Sequence, residues 1–143
     1  DEIQDPGNLG TILRTAVWMG VSGVIFGKGC VDSWNPKVVR STVGALGLLP
    51  YMTGELVELL PEFVSQGWKV GVLDGADRAT PLSEPLGEGA FIWVVGNESR
   101  GISEEVRSLN YPEYRIESSS NGVESLNAAM ALGITLYRTV NFS

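Results

Sequence analysis

Short apolar runs separated by helical patterns constrain this chain more than any other feature. "GVIFG" (23–27), "WKVGVLD" (68–74) and "FIWVVG" (91–96) are continuous rather than alternating in polarity. A strand of that kind must be covered on both faces, which is the condition of a parallel sheet between helices. "GLLPY" (47–51) and "YRIE" (114–117) read as further short strands. Between them the apolar spacing is helical. After "DPGN", with Asn8 as the expected N-cap, residues Leu9, Ile12, Leu13, Ala16, Val17 and Gly20 form one face. "NPKVVRSTVGAL" has Asn35 as cap and Pro36 in the first helical position, an arrangement that suits proline because its missing N–H has no partner there. "GELVELLPEFVSQG" is helical, with Pro61 expected to kink or split it. "SEEVRSL" has Ser103 as cap and two acids in its first turn, where the helix dipole favours them. The last helix is expected to bury Leu126, Ala129, Met130, Gly133, Ile134 and Tyr137. "GADRATPLSEPLGEG" (75–89) reads as a long loop. The expectation is one α/β domain with a parallel sheet flanked by helices.

In such sheets ligands bind beyond the carboxyl ends of the strands. Here those ends are "LDGAD", "VGNESRG" and "IESSSNG", all glycine-bearing loops able to converge on one crevice. The second is neither a phosphate-binding Walker loop nor a dinucleotide fingerprint. By spacing alone, a structural turn with a solvated ion pair explains it as well as a binding loop does. Asn8 and Arg14 likewise read either as a cap and a snorkelling arginine or as a phosphate-directed pair at a helix start. The start of the last helix is richer in polar groups than capping requires, with Ser125 and Asn127 around Leu126.

Several chemistries are excluded by composition. The chain has no histidine, so no Ser-His-Asp or Cys-His arrangement can form. Cys30 is the single cysteine; it cannot form an internal disulfide, which fits a reducing, cytoplasmic setting. No carboxylate cluster has metal-ligand spacing, and no metal is expected. No apolar run approaches the ~20 residues of a membrane span. The net charge of −7 argues against a simple basic nucleic-acid-binding domain. The acidity is concentrated in residues 51–98, with eight acids against Lys69 and Arg78; residues 1–50 carry four acids and four bases and could present a local cationic face.

Three segments together resemble the SpoU (TrmH-type) family of RNA ribose methyltransferases, within the SPOUT superfamily. "DPGNLGTILRTA", "FIWVVGNESRGIS" and "RIESSSNGVESLNAAMALGI" are similar to its first, second and third motifs and occur in that order. The resemblance implies methyl transfer from S-adenosylmethionine to a ribose 2'-hydroxyl of rRNA or tRNA, without metal. It also implies a parallel α/β fold with a C-terminal trefoil knot, which general topology rules would not suggest. Asn8, Arg14, Glu98, Ser125 and Asn127 match the polar catalytic set; Gly96, Ile116 and Leu126 match the methyl-donor pocket, bordered by Leu73 and Gly101. The polar helix start is then part of the site. Arg14 would position and stabilise charge rather than act as base, because a guanidinium stays protonated.

One departure stands out. Where the family usually has Ile-Pro-Met followed by glycine, Ile116 is followed by Glu117 and Ser118, and the loop is one residue longer. The proline's rigidity is lost and a carboxylate enters beside the adenosine pocket. The resemblance further implies a homodimer, to which large apolar residues near the functional helices, such as Trp18, Met19 and Tyr137, are suited. It also implies an RNA-binding domain upstream of a catalytic domain spanning 1–143; the chain opens with Asp1 rather than Met. Two other readings stand beside this one: a non-catalytic RNA- or nucleotide-binding module of the same fold, which the altered "IES" favours, and a generic α/β nucleotide-binding enzyme.

Overall fold

The computed structural model describes residues 1–83, 85–119, 122 and 125–140. Helix α1 runs from Pro6 to Trp18 and leads into strand β1, Val24–Gly27. Helix α2, Pro36–Thr42, is followed by a single 3-10 turn, Ala45–Gly47, and by β2, Tyr51–Gly54. Then come α3, Leu56–Ser65, β3, Lys69–Leu73, β4, Thr80–Pro81, and β5, Phe91–Val94. Helix α4, Glu104–Arg107, β6, Glu113–Arg115, and α5, Ala128–Thr139, complete the order.

All strand pairs are parallel, as the apolar runs require, but the strands form two groups rather than one sheet. β1 pairs with β2, Val24 opposite Tyr51. The other group is ordered β4-β6-β3-β5. Two buried clusters cover it. One joins α1, β1, α2 and α5 through Leu13, Phe26, Val38 and Leu132. The other packs α3 and α4 on β3 and β5 through Leu60, Val70, Val94 and Val106. The crossing of α1 over α2 is close because Gly10 has no side chain: a Cβ there would lie 2.1 Å from Ser41 Oγ. No helix among the described residues is long and apolar enough to cross a membrane.

Several local expectations are corrected. The cap of α1 is Asp5, whose carboxylate accepts the Asn8 amide at 2.7 Å. Pro6 therefore occupies the first turn, and Asn8 lies inside the helix with its side chain released for other bonds. Of "GLLPY", Gly47 ends the 3-10 turn and Leu48 and Leu49 follow it in a bend, so β2 starts only at Tyr51. Pro61 does not split α3, which is continuous through it although proline, sixth of its ten residues, leaves one mid-helix carbonyl without its amide partner. The presumed loop 75–89 contains β4, which adds to the edge of β6. The largest correction concerns α5. Its buried residues are Ala129, Leu132, Thr135 and Leu136, while Leu126, Met130, Ile134 and Tyr137 are exposed. The helix has two apolar stripes, and the smaller residues of one allow α1 to approach. Trp18 and Trp34 are also exposed.

Leu13 is 1% exposed and connects α1 to the first cluster, whereas Trp18 is 85% exposed. Leu13→Ala should therefore lower unfolding stability by about 2–5 kcal/mol. Trp18→Ala should change that of the monomer by no more than about 0.5 kcal/mol. Urea titrations of the two variants check the contrast.

Candidate functional site

The polar residues singled out in the sequence come from three distant segments, and the fold brings four of the five to neighbouring helix starts and loop ends. Asn127 caps α5: its side-chain oxygen accepts the amides of Ala129 and Met130 at 3.0 and 3.2 Å. Its amide nitrogen donates to the Asn8 side-chain oxygen at 2.8 Å. Asn8 in turn donates to Glu98 Oε1 at 3.3 Å. The chain Asn127–Asn8–Glu98 thus ties the start of α5 to the first turn of α1 and to the loop after β5. Ser125 lies two residues before the α5 cap and is exposed. Arg14 is exposed on α1, six residues beyond Asn8, and makes no ion pair or hydrogen bond among the described residues.

Glu98 is exposed, not buried. It accepts the amides of Gln4 at 3.3 Å and Asp5 at 3.1 Å. Partial desolvation favours its protonated form, but the backbone N–H groups of Glu98, Asp5 and Gln4 and the Asn8 amide outweigh this and hold the carboxyl below its ordinary value. A carboxylate held ionised in this way is a poor proton acceptor; it acts as an anchor for the N-terminal segment.

The loop between β5 and α4 depends on a residue that sequence reasoning passed over. Asn97 is 8% exposed. Its side-chain oxygen accepts the amides of Ser99 and Arg100, both at 3.0 Å, and its amide donates to the Glu2 carbonyl at 2.8 Å. Its backbone pairs both ways with Gly101, at 2.8 and 2.9 Å. The available signal was the short amide side chain next to glycine, which bonds its own backbone in turns. Gly96 is required by this turn itself: a Cβ would fall 2.4 Å from the Gly101 carbonyl group. Gly101 adopts φ 72°, where an L side chain is strained.

Of the expected pocket residues, Leu73 and Ile116 are half-buried at the carboxyl ends of adjacent strands, Leu73 paired with Tyr114. Gly96 lies past the end of β5, which flanks β3 on its other side. These three ends are therefore neighbours. Leu126 is 49% exposed and precedes the α5 cap. Of the loop linking Ile116 to Leu126, residues 120, 121, 123 and 124 lie outside the described residues. Below this edge, Arg107 bridges Asp74 and Glu113 at 2.9 and 2.6 Å, and Arg78 bridges the same two acids at 3.0 and 2.9 Å. The network fixes the end of β3 to β6 and α4. No group of metal-ligating side chains occurs among the described residues.

Parallel strands ending in three glycine-bearing loops, with a polar cluster drawn from two helix starts, define an α/β domain built to hold a ligand at its strand ends. The chain belongs to the SpoU rRNA methylase family, whose model matches residues 1–137. It is 34% identical over 138 residues to the 23S rRNA (guanosine(2553)-2'-O)-methyltransferase RlmP of Bacillus subtilis, covering 96% of this chain and 54% of that protein. A TrmH-family protein from Porphyromonas gingivalis superposes with a TM-score of 0.86 at 39% identity, over 96% of this chain and 56% of that one. An AdoMet-bound rRNA methyltransferase from Sinorhizobium meliloti superposes with a TM-score of 0.84 at 28% identity, over 96% and 52%. The chain thus spans about half the length of the curated relatives it matches first.

Because the Glu98 carboxyl is lowered in the folded protein, its contribution to stability is fully present above the unfolded value of about 4.3. It is lost as pH falls through the lower folded value. An NMR titration of Glu98 should give a midpoint below that of a free glutamate, and Asn8→Ala should raise it. Glu98→Gln should lose stability at neutral pH and converge with the parent protein in acid.

Proposed function

We propose that this domain transfers a methyl group from S-adenosylmethionine to a ribose 2'-hydroxyl of ribosomal or transfer RNA. The observation that carries the reading is the hydrogen-bonded chain Asn127–Asn8–Glu98, beside Arg14 on α1, which no acid among the described residues neutralises. The residues at the strand ends fit the adenosine end of the cofactor. Leu73 and Ile116 offer half-buried aliphatic surfaces on adjacent strands, and the loop bounded by Gly96 and Gly101 is held rigid by Asn97. Glu117, in place of the family's proline, is exposed at this edge. When bound, S-adenosylmethionine supplies an electrophilic methyl group.

The chain's own residues supply position and charge. Asn127 and Asn8 fix each other's amide orientation, and Ser125 presents a hydroxyl beside them. Arg14 pairs with RNA phosphate and stabilises negative charge as the ribose hydroxyl becomes a nucleophile. Glu98 keeps the α1 start docked on the loop. The cations available to RNA are fewer than composition suggests. Lys28 is paired with Glu55 and Arg100 with Glu2 at 2.9 Å. Of the cations without an acidic partner among the described residues, Arg14, Lys37 and Arg40 lie together on the packed helices α1 and α2. So small a set supports recognition shared with an upstream RNA-binding domain in a cytoplasmic enzyme.

Two finer features belong to the same reading. The family's trefoil knot would involve the segment between Ile116 and α5, part of which lies outside the described residues. Two copies pair through the exposed stripe of α5, Met130, Ile134 and Tyr137, with Trp18 of the packed helix α1. Burying about 2,000 Å² would be required for a stable pair; light scattering at micromolar concentration should give twice the chain mass, and a monomer would remove the pairing.

Calorimetry should show saturable S-adenosylmethionine binding that a chelator leaves unchanged; a folded protein that binds neither the cofactor nor its demethylated product would end the methyl-transfer reading. In the full-length protein with its RNA, Arg14→Ala should cut methyl transfer by about 10²-fold or more. Cofactor affinity should stay within twofold or so and stability within about 0.5 kcal/mol. Near-normal turnover would remove Arg14 from the mechanism.

A further inference from the structure

Trp34 is a large apolar ring held open to water. It is 62% exposed, yet its position is fixed at two points. Its backbone amide donates to Asp32 Oδ1 at 2.9 Å. Its indole N–H donates to the Tyr51 hydroxyl at 3.1 Å, and the Tyr51 ring packs on buried Phe26 with centroids 5.4 Å apart. The polar edge of the indole is thus tied to the core, and the exposure comes from the rest of the ring. Among the described residues no aromatic ring pairs with it and no cation lies over it. Trp18 is more exposed, but it belongs to the pairing surface proposed above.

The ring stands at the end of the sheet that carries the polar cluster. Its segment leaves the carboxyl end of β1 at Gly27 and enters α2 at Pro36. On the way the Val31 amide donates to the Ile3 carbonyl at 2.8 Å, next to the residues that Glu98 holds. Ser41 of α2 donates to the Pro6 carbonyl at 3.4 Å, two residues before Asn8. Lys37 and Arg40 follow Trp34 on α2, both exposed and without an acidic partner among the described residues. Asp32, the nearest acid in the sequence, has one oxygen committed to the Trp34 amide. An open ring beside two unpaired cations is complementary to a nucleotide, which joins a flat base to an anionic phosphate. An apolar protein face would leave both cations unmatched. We propose that Trp34 is a stacking platform for one unpaired base of the RNA, with the adjoining phosphates held by Lys37 and Arg40. Paired bases offer no free face, so the substrate is taken from a loop, a bulge or an end. The inference rests on the RNA reading above and narrows it to single-stranded RNA.

The test uses a labelled mixed-sequence RNA of about twelve nucleotides, single-stranded and then annealed to its complement, titrated by anisotropy over a range of salt. Trp34→Ala should weaken single-strand binding about tenfold. It should leave the slope of log affinity against log salt unchanged, since a ring releases no counterions. Lys37→Ala should instead reduce that slope by about one. Trp34→Phe, which keeps a flat ring, should stay within about threefold of the parent, whereas Trp34→Leu, which keeps apolar bulk alone, should lose as much as Trp34→Ala. The leucine variant carries the test if the alanine variant misfolds. Duplex affinity should be the same in all three Trp34 variants and the parent. Equal single-strand affinity of the parent and the leucine variant would overturn the proposal, as would an equal loss on duplex or a parent that binds no RNA. So would a pairing of chains without RNA that Trp34→Leu dissolves in light scattering, since a second copy would then cover the ring. Calorimetry with S-adenosylmethionine separates the two readings: a parent that binds RNA through Trp34 but binds no cofactor would end methyl transfer and leave the stacking platform standing.

Discussion

The first eight residues are stitched to the loop between β5 and α4, and the arrangement of the polar cluster depends on that stitch. Asp1 donates to Val95 and accepts the Ser103 amide at 2.7 Å. Glu2 gives its carbonyl to Asn97 and its carboxylate to Arg100. Gln4 and Asp5 give their amides to Glu98. Each bond spans more than ninety positions in the chain, so none could form before the sheet was assembled. Individually these bonds are worth about 1 kcal/mol. Their number along one short segment is what converts a flexible start into the foundation of α1.

This explains the division of labour within "NES". Asn97 is inside the turn and shapes it, while Glu98 reaches outward and holds another segment. A buried amide can satisfy two donors and one acceptor at once without carrying charge. A carboxylate in the same position would meet the same two amides but repel the Glu2 carbonyl. The ion pairs elsewhere on the domain are mostly exposed and contribute little alone. The exception in form is the four-membered set of Asp74, Arg78, Arg107 and Glu113, in which each charge has two partners. It joins β3, α4 and β6 at the side of the sheet away from α5.

The fold class was legible because continuous apolar runs and helical spacing are local properties. Asn35 and Ser103 cap their helices and Pro36 takes the first helical position as their types dictate, and the three motif segments carried the family. What escaped was set by distance in space. Asp5 rather than Asn8 caps α1 because proline prefers the first turn. The α5 helix has two stripes with similar hydrophobicity, and only the contact with α1 decides that Ala129 and Leu132 go inward while Met130 and Tyr137 stay out. Asn97 was overlooked beside the charged Glu98, although glycine on either side of the "NESR" turn pointed to a tight backbone. The split between β1 and β5 had no signature in the runs themselves, because a strand reads the same whichever edge is paired.

Helix α1 carries both Asn8 and Arg14, and Gly10 presses it directly onto α2. It therefore works as a ruler. Six helical steps separate the two side chains, an axial distance of about 9 Å, and each step adds about 100° of turn. The guanidinium is thus held at a set reach and bearing from the cluster at the helix start, whatever the surrounding loops do. Inserting a single alanine between Thr11 and Ile12 would leave every named polar residue present, yet swing Arg14 about a quarter-turn or more away. The spacing "NLGTILR" is in this sense a length standard, written in backbone rather than in side chains.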